Sequence, residues 1–294
     1  MIATNWQTVT PHKSKLGEGP VWDDRRQRII WLDILNGKIH TYTPGKDAYS
    51  FSETGQLTGA VALTENDTLL AAMENGFFEI NEATGTSTAW GDPESHLPGN
   101  RFNDGKCDPK GRFWAGTMQM AETETTGNLY VMDVDRSVYH KLSDIGCSNG
   151  LAWNSRHDTM YYIDSPTREV AAFDYDPETA AISNRRVILT IPEGDGFPDG
   201  MTIDAEDQLW VALWDGWKVI RVDPDNGSIT AQIELPAARI TSATFGGPDL
   251  TDLYITSARV GLSEEELEKQ PLAGSLFVIR NVGVRGVQGV RFGR

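Results

Sequence analysis

Five short stretches place an oxygen-bearing side chain directly before a glycine at the head of an apolar run. They are Glu18-Gly19, Thr58-Gly59, Asp104-Gly105, Asn149-Gly150 and Asp199-Gly200. Carboxylate and amide oxygens are the donors a hard divalent cation takes, whereas a softer ion would ask for His or Cys. If these stretches converge, Glu18, Asn149 and Asp199 supply three protein ligands and leave positions for water and a substrate. The same residues have a plainer use: Asn-Gly and Asp-Gly are frequent turn dipeptides, and polar groups cap strand ends or hold channel water. Which use applies depends on the elements that carry them.

Those elements repeat. Segments beginning at Glu18, Thr58, Asn103, Asn149, Asp199 and Ser242 share one pattern: a short apolar strand, a polar turn, a strand rich in aromatic or aliphatic pairs, a second break, and an alternating strand. The period of about 40–50 residues is that of a propeller blade. The five glycines read as equivalent points, with Ser242 at the corresponding place in the sixth unit. Trp31, Trp114, Tyr161 and Trp210 read as one shared position in the core between blades. The expected fold is all-β, a six-bladed β-propeller with four-stranded blades around a central channel, forming one domain over residues 1–294. Inner strands that open onto one face of the disc would bring the oxygen donors together. Helical periodicity is confined to "LSEEELEKQPLAG", where Ser263 and Glu266 form a capping box in a surface insertion of the sixth unit.

Composition narrows the partners. With 42 acidic against 26 basic residues the net charge is −16, which repels phosphate backbones, so neither nucleic acid nor an anionic membrane is an expected partner. The N-terminus has no apolar signal core, and no run approaches a membrane span. The two cysteines, Cys107 and Cys147, form no disulfide framework and read as small buried hydrophobes in a protein of the reducing cytoplasm. "GCSNG" matches the nucleophile-elbow pattern around Ser148, but a strand follows it where that chemistry needs a helix. "DPDNGSITAQIE" reads as a hairpin turn at Asn226-Gly227, and the five histidines show no ligand spacing.

The stretches "LGEGPVW", "NRFNDGKCDPKGRFWAGTM", "SNGLAW…YYIDS" and "FPDGMTIDAEDQLWVALWDG" together resemble the SMP-30/gluconolactonase/regucalcin family, from about Leu16 to Phe277. The resemblance implies a six-bladed propeller that binds one divalent cation and hydrolyses sugar-acid lactones. It puts Glu18, Asn149 and Asp199 on the metal ligands, and Arg101 and Asn103 on the substrate contacts. Asp199 also falls on the general base, with cation-bound hydroxide as the other candidate. Asp104 is then a structural neighbour. In the loop "GTMQMAETETTG" Gln119 stands where relatives carry an acid, which leaves Glu122 as the substrate contact from that side. The oxygen ligands favour Ca, Mg or Mn, with Zn or Fe(II) open. Hexono-, pentono- and aldarolactones are all candidate substrates. Two other classes share the architecture: a paraoxonase-like or phosphotriesterase-like hydrolase, and a non-enzymatic calcium-responsive or protein-binding propeller.

Overall fold

The computed structural model describes residues 2–294, in which each repeat folds into a four-stranded antiparallel sheet. The six innermost strands are Gly17–Asp23, Thr58–Leu63, Asn100–Cys107, Ser148–Trp153, Phe197–Ile203 and Arg239–Gly246. Each packs against the inner strands of the two flanking blades, so the sheets close into a ring. The fold is the six-bladed propeller expected from the repeats.

Burial grades outward along each blade. Every residue of Thr58–Leu63 is buried, whereas every residue of the outer strand Ala48–Glu53 is exposed. The core lies between blades. Tyr161, Ile163 and Val170 of blade 4, for example, pack with Leu209, Val211 and Ile220 of blade 5. Each such side chain removed from water contributes about 1.5–3 kcal/mol.

A second device repeats with the strands. The turn after each of the first five inner strands is capped by a polar side chain at Asp23, Thr64, Asp108, Asn154 or Asp204. At three of them the carboxylate also organises a buried cluster. Asp23 accepts from Arg28 Nε and Arg291 Nη2, both at 3.0 Å. Asp108 Oδ2 accepts from Arg112 Nε (2.7 Å), Trp114 Nε1 (2.9 Å) and the Tyr175 hydroxyl (2.7 Å). Asp204 Oδ2 accepts from Trp210 Nε1 and Arg221 Nε, both at 2.8 Å. These acids fix the hairpin whose far end presents the axial residues.

Closure uses both ends of the chain. The sixth blade takes its outermost strand, Trp6–Thr8, from the N-terminus, pairing it with Phe277–Ile279. The C-terminal segment crosses under the channel, with Gly286 bridging Asp204 and Phe292 bridging Thr64. Glu264–Lys269 forms the short helix, with the Ser263–Glu266 capping box in place, and Gly227 turns the hairpin after Asp223 at φ +72°.

One repeat alignment is corrected. Trp114, Tyr161 and Trp210 stand opposite Lys106, Ala152 and Thr202, on the second rung counted from the hairpin. In blade 1 the matching rung, two residues before the turn cap Asp23, pairs Val21 with Ile30. Trp31 therefore lies one residue further along and packs with Trp22 and Tyr254 toward blade 6, whereas Trp114, Tyr161 and Trp210 pack toward the blade that follows their own. It is buried all the same, stacked on His40.

Candidate metal centre

Every inner strand carries one extra residue near its start. The ladder slips between Glu18 and Val21, Thr58 and Ala60, Phe102 and Gly105, Asn149 and Leu151, Pro198 and Met201, and Ile240 and Ser242. Bulges re-aim side chains and bend strands; here they sit where the chain reaches the channel. The glycines allow the resulting close approach: a Cβ on Gly59 would lie 2.3 Å from Phe102 O, and one on Gly150 2.7 Å from Met201 Cβ.

The bulges also correct the glycine alignment. The third residue before Lys106, Ala152 and Thr202 is Asn103, Asn149 and Asp199 respectively. Asn103, not Asp104, therefore occupies the same place along its inner strand as Asn149 and Asp199, and Gly105 is one step out of line with Gly150 and Gly200. The slip in blade 3 leaves Asn103 and Asp104 both off the ladder, and both are buried.

The six residues Glu18, Arg101, Asn103, Asp104, Asn149 and Asp199 come together, each less than a tenth exposed. Asn103 Nδ2 donates to Asn149 Oδ1 (3.1 Å) and Ser148 O (2.8 Å), while Arg101 Nη1 donates to Asn103 Oδ1 (2.8 Å) and Phe102 O (2.9 Å). Asn149 Nδ2 donates to Ser165 Oγ at 2.8 Å, and Ser165 Oγ donates to Pro198 O at 2.6 Å. These bonds leave Asn149 Oδ1 turned toward Asn103 and tie blades 3, 4 and 5 at one point.

The carboxylates are held differently. Glu18 Oε2 accepts from Gly19 N at 3.0 Å and Asp104 Oδ1 from Gly105 N at 2.7 Å. Among the described residues neither of them, nor Asp199, forms a salt bridge; Arg101 is the cation whose charge acts on Glu18 and Asp199. Burial, then the charge of Asp104, pushes the Glu18 carboxyl up to about 8. Burial, then Glu18 and Asp104, pushes Asp199 well above the usual carboxylate range. Arg101 is pulled down by burial, opposed by Glu18, Glu122 and Asp199 around it. Buried acids are ordinarily paired with a cation or coordinate one. Two buried carboxylates with no salt bridge, beside an amide oxygen, are a donor set that fits a divalent ion of the oxygen-loving class. Lys106 compensates Asp104 in part, but its ammonium is committed to Met201 O at 2.6 Å.

Glu122 is exposed, at φ +54°, on the loop that faces Arg101. Gln119 shapes that loop: its Oε1 accepts from Thr123 N (2.9 Å) and Glu124 N (3.0 Å). The residue in the expected acidic place thus folds the loop, and Glu122, Glu124, Gly146 and Pro166 border a recess beside it.

Cys147 is not the buried core hydrophobe that the sequence suggests. It is partly exposed, with Sγ 3.6 Å from Asn103 Nδ2, 3.5 Å from Asn149 Nδ2 and 3.5 Å from Met118 Sδ. Cys107 is buried as expected. Sequence reasoning also missed Ser165, which no repeat position marks. Ser148 is a strand residue accepting from the Tyr162 hydroxyl at 2.8 Å, with no histidine beside it. On the other side of Asp104 the channel widens into a largely apolar cavity of about 450 Å³, closed by residues 287–290.

Fold and cluster together define a class: a six-bladed propeller with carboxylate and amide oxygens gathered where its inner strands begin. The chain belongs to the family described as SMP-30/Gluconolactonase/LRE-like region, which matches residues 16–259. It is 37% identical to Regucalcin of Xenopus laevis over 297 residues, covering 99% of each chain. It is also 37% identical to "Putative sugar lactone lactonase YvrE" of Bacillus subtilis, covering 90% of this chain and 91% of that one. The crystal structure of a calcium-binding protein, regucalcin, from Agrobacterium tumefaciens matches with a TM-score of 0.94 and 28% identity, over 99% of this chain and 98% of that one.

Proposed function

We propose that this chain hydrolyses sugar-acid lactones to the open acids, using one divalent cation held by Glu18, Asn149 and Asp199. The observation that carries the reading is the buried gathering of Glu18, Asn149 and Asp199 beside Arg101 and Asn103, with neither carboxylate in a salt bridge among the described residues. Family membership supports the chemistry, since a relative of nearly equal length carries the name "Putative sugar lactone lactonase YvrE".

When bound, the cation polarises the lactone carbonyl and stabilises the charge that develops there. Arg101 and Asn103, locked to each other at 2.8 Å, hydrogen-bond the sugar hydroxyls and hold the ring at reacting distance. Asp199 accepts a proton from the attacking water and returns it to the ring oxygen as the carbonyl carbon–oxygen bond breaks. A ligated carboxylate is a weak base. Glu122 reaches the substrate from the loop above Arg101. Ca, Mg or Mn suits the all-oxygen donor set best. The two free cysteines suit a reducing cytoplasm.

A panel of aldonolactones read by a pH indicator, with a phosphotriester as the contrasting arm, tests this reading. Opening of at least one lactone well above its spontaneous rate, with no phosphotriester turnover, is expected. Phosphotriester turnover alone would favour the paraoxonase-like alternative, and no turnover at all would favour a binding propeller.

A further inference from the structure

Away from the channel, blade 1 gathers three side chains that have no part in the proposed reaction. Asp33 ends one strand, His40 lies on the next, and His12 comes from the segment that leads out of the closing strand Trp6–Thr8. One ligand atom from each lies within 4.8 Å of the others. Asp33 and His40 are wholly buried, and the His12 side chain is about a quarter exposed.

The two imidazoles are incompletely satisfied. Nε2 of His12 and Nε2 of His40 are both buried without a hydrogen-bond partner. His12 Nε2 stops 3.9 Å from Asp33 Oδ2, too far for a hydrogen bond. His40 Nδ1 is engaged by the Tyr49 hydroxyl at 2.9 Å, and Trp31 stacks on the ring with centroids 5.0 Å apart. A ring fixed through one nitrogen with the other nitrogen unpaired is how metal-ligating histidines are held. Lys38, the nearby cation, is turned over Phe51 and toward Glu53.

We propose that His12, Asp33 and His40 form a second metal site, of the zinc class and distinct from the channel centre. Two imidazole nitrogens and a carboxylate select Zn²⁺, Co²⁺ or Ni²⁺ over Ca²⁺ and Mg²⁺, the reverse of the all-oxygen channel set. Bonds of about 2.0–2.1 Å require the three atoms to close from their present spacing. The loop position of His12 allows that movement. Asp33 Oδ2 now accepts from Lys15 N (2.9 Å) and Asn36 Nδ2 (2.8 Å). Asn36 is exposed and free to turn away. The open side at His12 leaves room for a water as fourth ligand. Because His12 follows the strand that completes blade 6, an ion here would clasp the end of the ring closure to blade 1.

The test is a titration of chelator-stripped protein with Zn²⁺ and Co²⁺, followed by calorimetry and visible absorption. Wild type and Asp199→Asn are compared with the same chains carrying His12→Ala or, as a buried-ligand alternative, His40→Gln. Asp199→Asn should bind one Zn²⁺ with a rise in Tm and give the intense Co²⁺ bands of a four-coordinate site. Adding His12→Ala should abolish both, while His12→Ala alone leaves lactone opening unchanged. Unaltered Zn²⁺ binding after His12→Ala, or no binding by folded Asp199→Asn, overturns the proposal. Should Asp199→Asn not fold, wild type must lose one equivalent on His12→Ala, and equal stoichiometry overturns it.

Discussion

Replacing Asp199 by asparagine keeps the side chain's shape while removing its charge and its capacity to take a proton. Lactone turnover should fall by about 10²–10⁴-fold, the usual worth of a positioned base, with the circular dichroism spectrum unchanged. Retention of more than a tenth of the activity would remove Asp199 from the base role. Glu18 makes a second prediction at this scale. Its carboxyl ordinarily ionises near 4.5 and in the fold is pushed up to about 8 by burial and Asp104. The native chain therefore holds this proton more tightly than the unfolded chain. Metal-stripped protein should lose stability as pH rises from about 4.5 to about 8. A cation displaces the proton, so the gap in Tm between loaded and stripped protein should widen over the same interval. Calorimetry at the two ends of that range checks it, and a gap that narrows with rising pH contradicts the assignment.

The hairpins that carry these residues depend on the buried turn acids. Asp108→Ala leaves Arg112, Trp114 Nε1 and the Tyr175 hydroxyl without their shared acceptor. A loss of about 3–5 kcal/mol, the cost of breaking a buried ion pair, should appear as a lowered denaturant midpoint; a change under about 1 kcal/mol would show the cluster to be dispensable. At this scale the sequence was only partly legible. The strands could be read because alternation and turn residues are local, and Glu18, Asn149 and Asp199 stood out because each precedes a glycine. The bulges could not be read, since a slip is set by pairing with the next strand rather than by composition. That is why the glycines misalign Asp104 with Asn149, and why Trp31 sits one residue off the shared aromatic position, on the opposite face of its blade. Cys147 and Ser165 stayed hidden for a related reason: they touch the cluster across blades. His12 and His40 meet only because one comes from the chain's first connecting segment and the other from a strand interior.

For the whole molecule, the pairing of Trp6–Thr8 with Phe277–Ile279 completes the ring. Deleting residues 2–9 exposes that edge and removes the Val9 N to Leu276 O bond at 2.8 Å. Tm should drop by on the order of 5 °C or more, given roughly 2–4 °C per kcal/mol for chains of this size. An unchanged midpoint would mean that the inner strands close the ring unaided. The ring matters because it alone brings blades 1, 3, 4 and 5 to one axis, where three donors far apart in sequence can share an ion. The most direct measurement is lactone opening by metal-stripped enzyme, before and after adding back Ca²⁺, Mg²⁺, Mn²⁺ or Zn²⁺, in wild type and in Glu18→Gln. The stripped wild type should be inactive and recover with at least one ion, while Glu18→Gln should not recover at matched ion concentration. Full activity in the stripped enzyme, or equal recovery by Glu18→Gln, would contradict a catalytic cation at Glu18, Asn149 and Asp199.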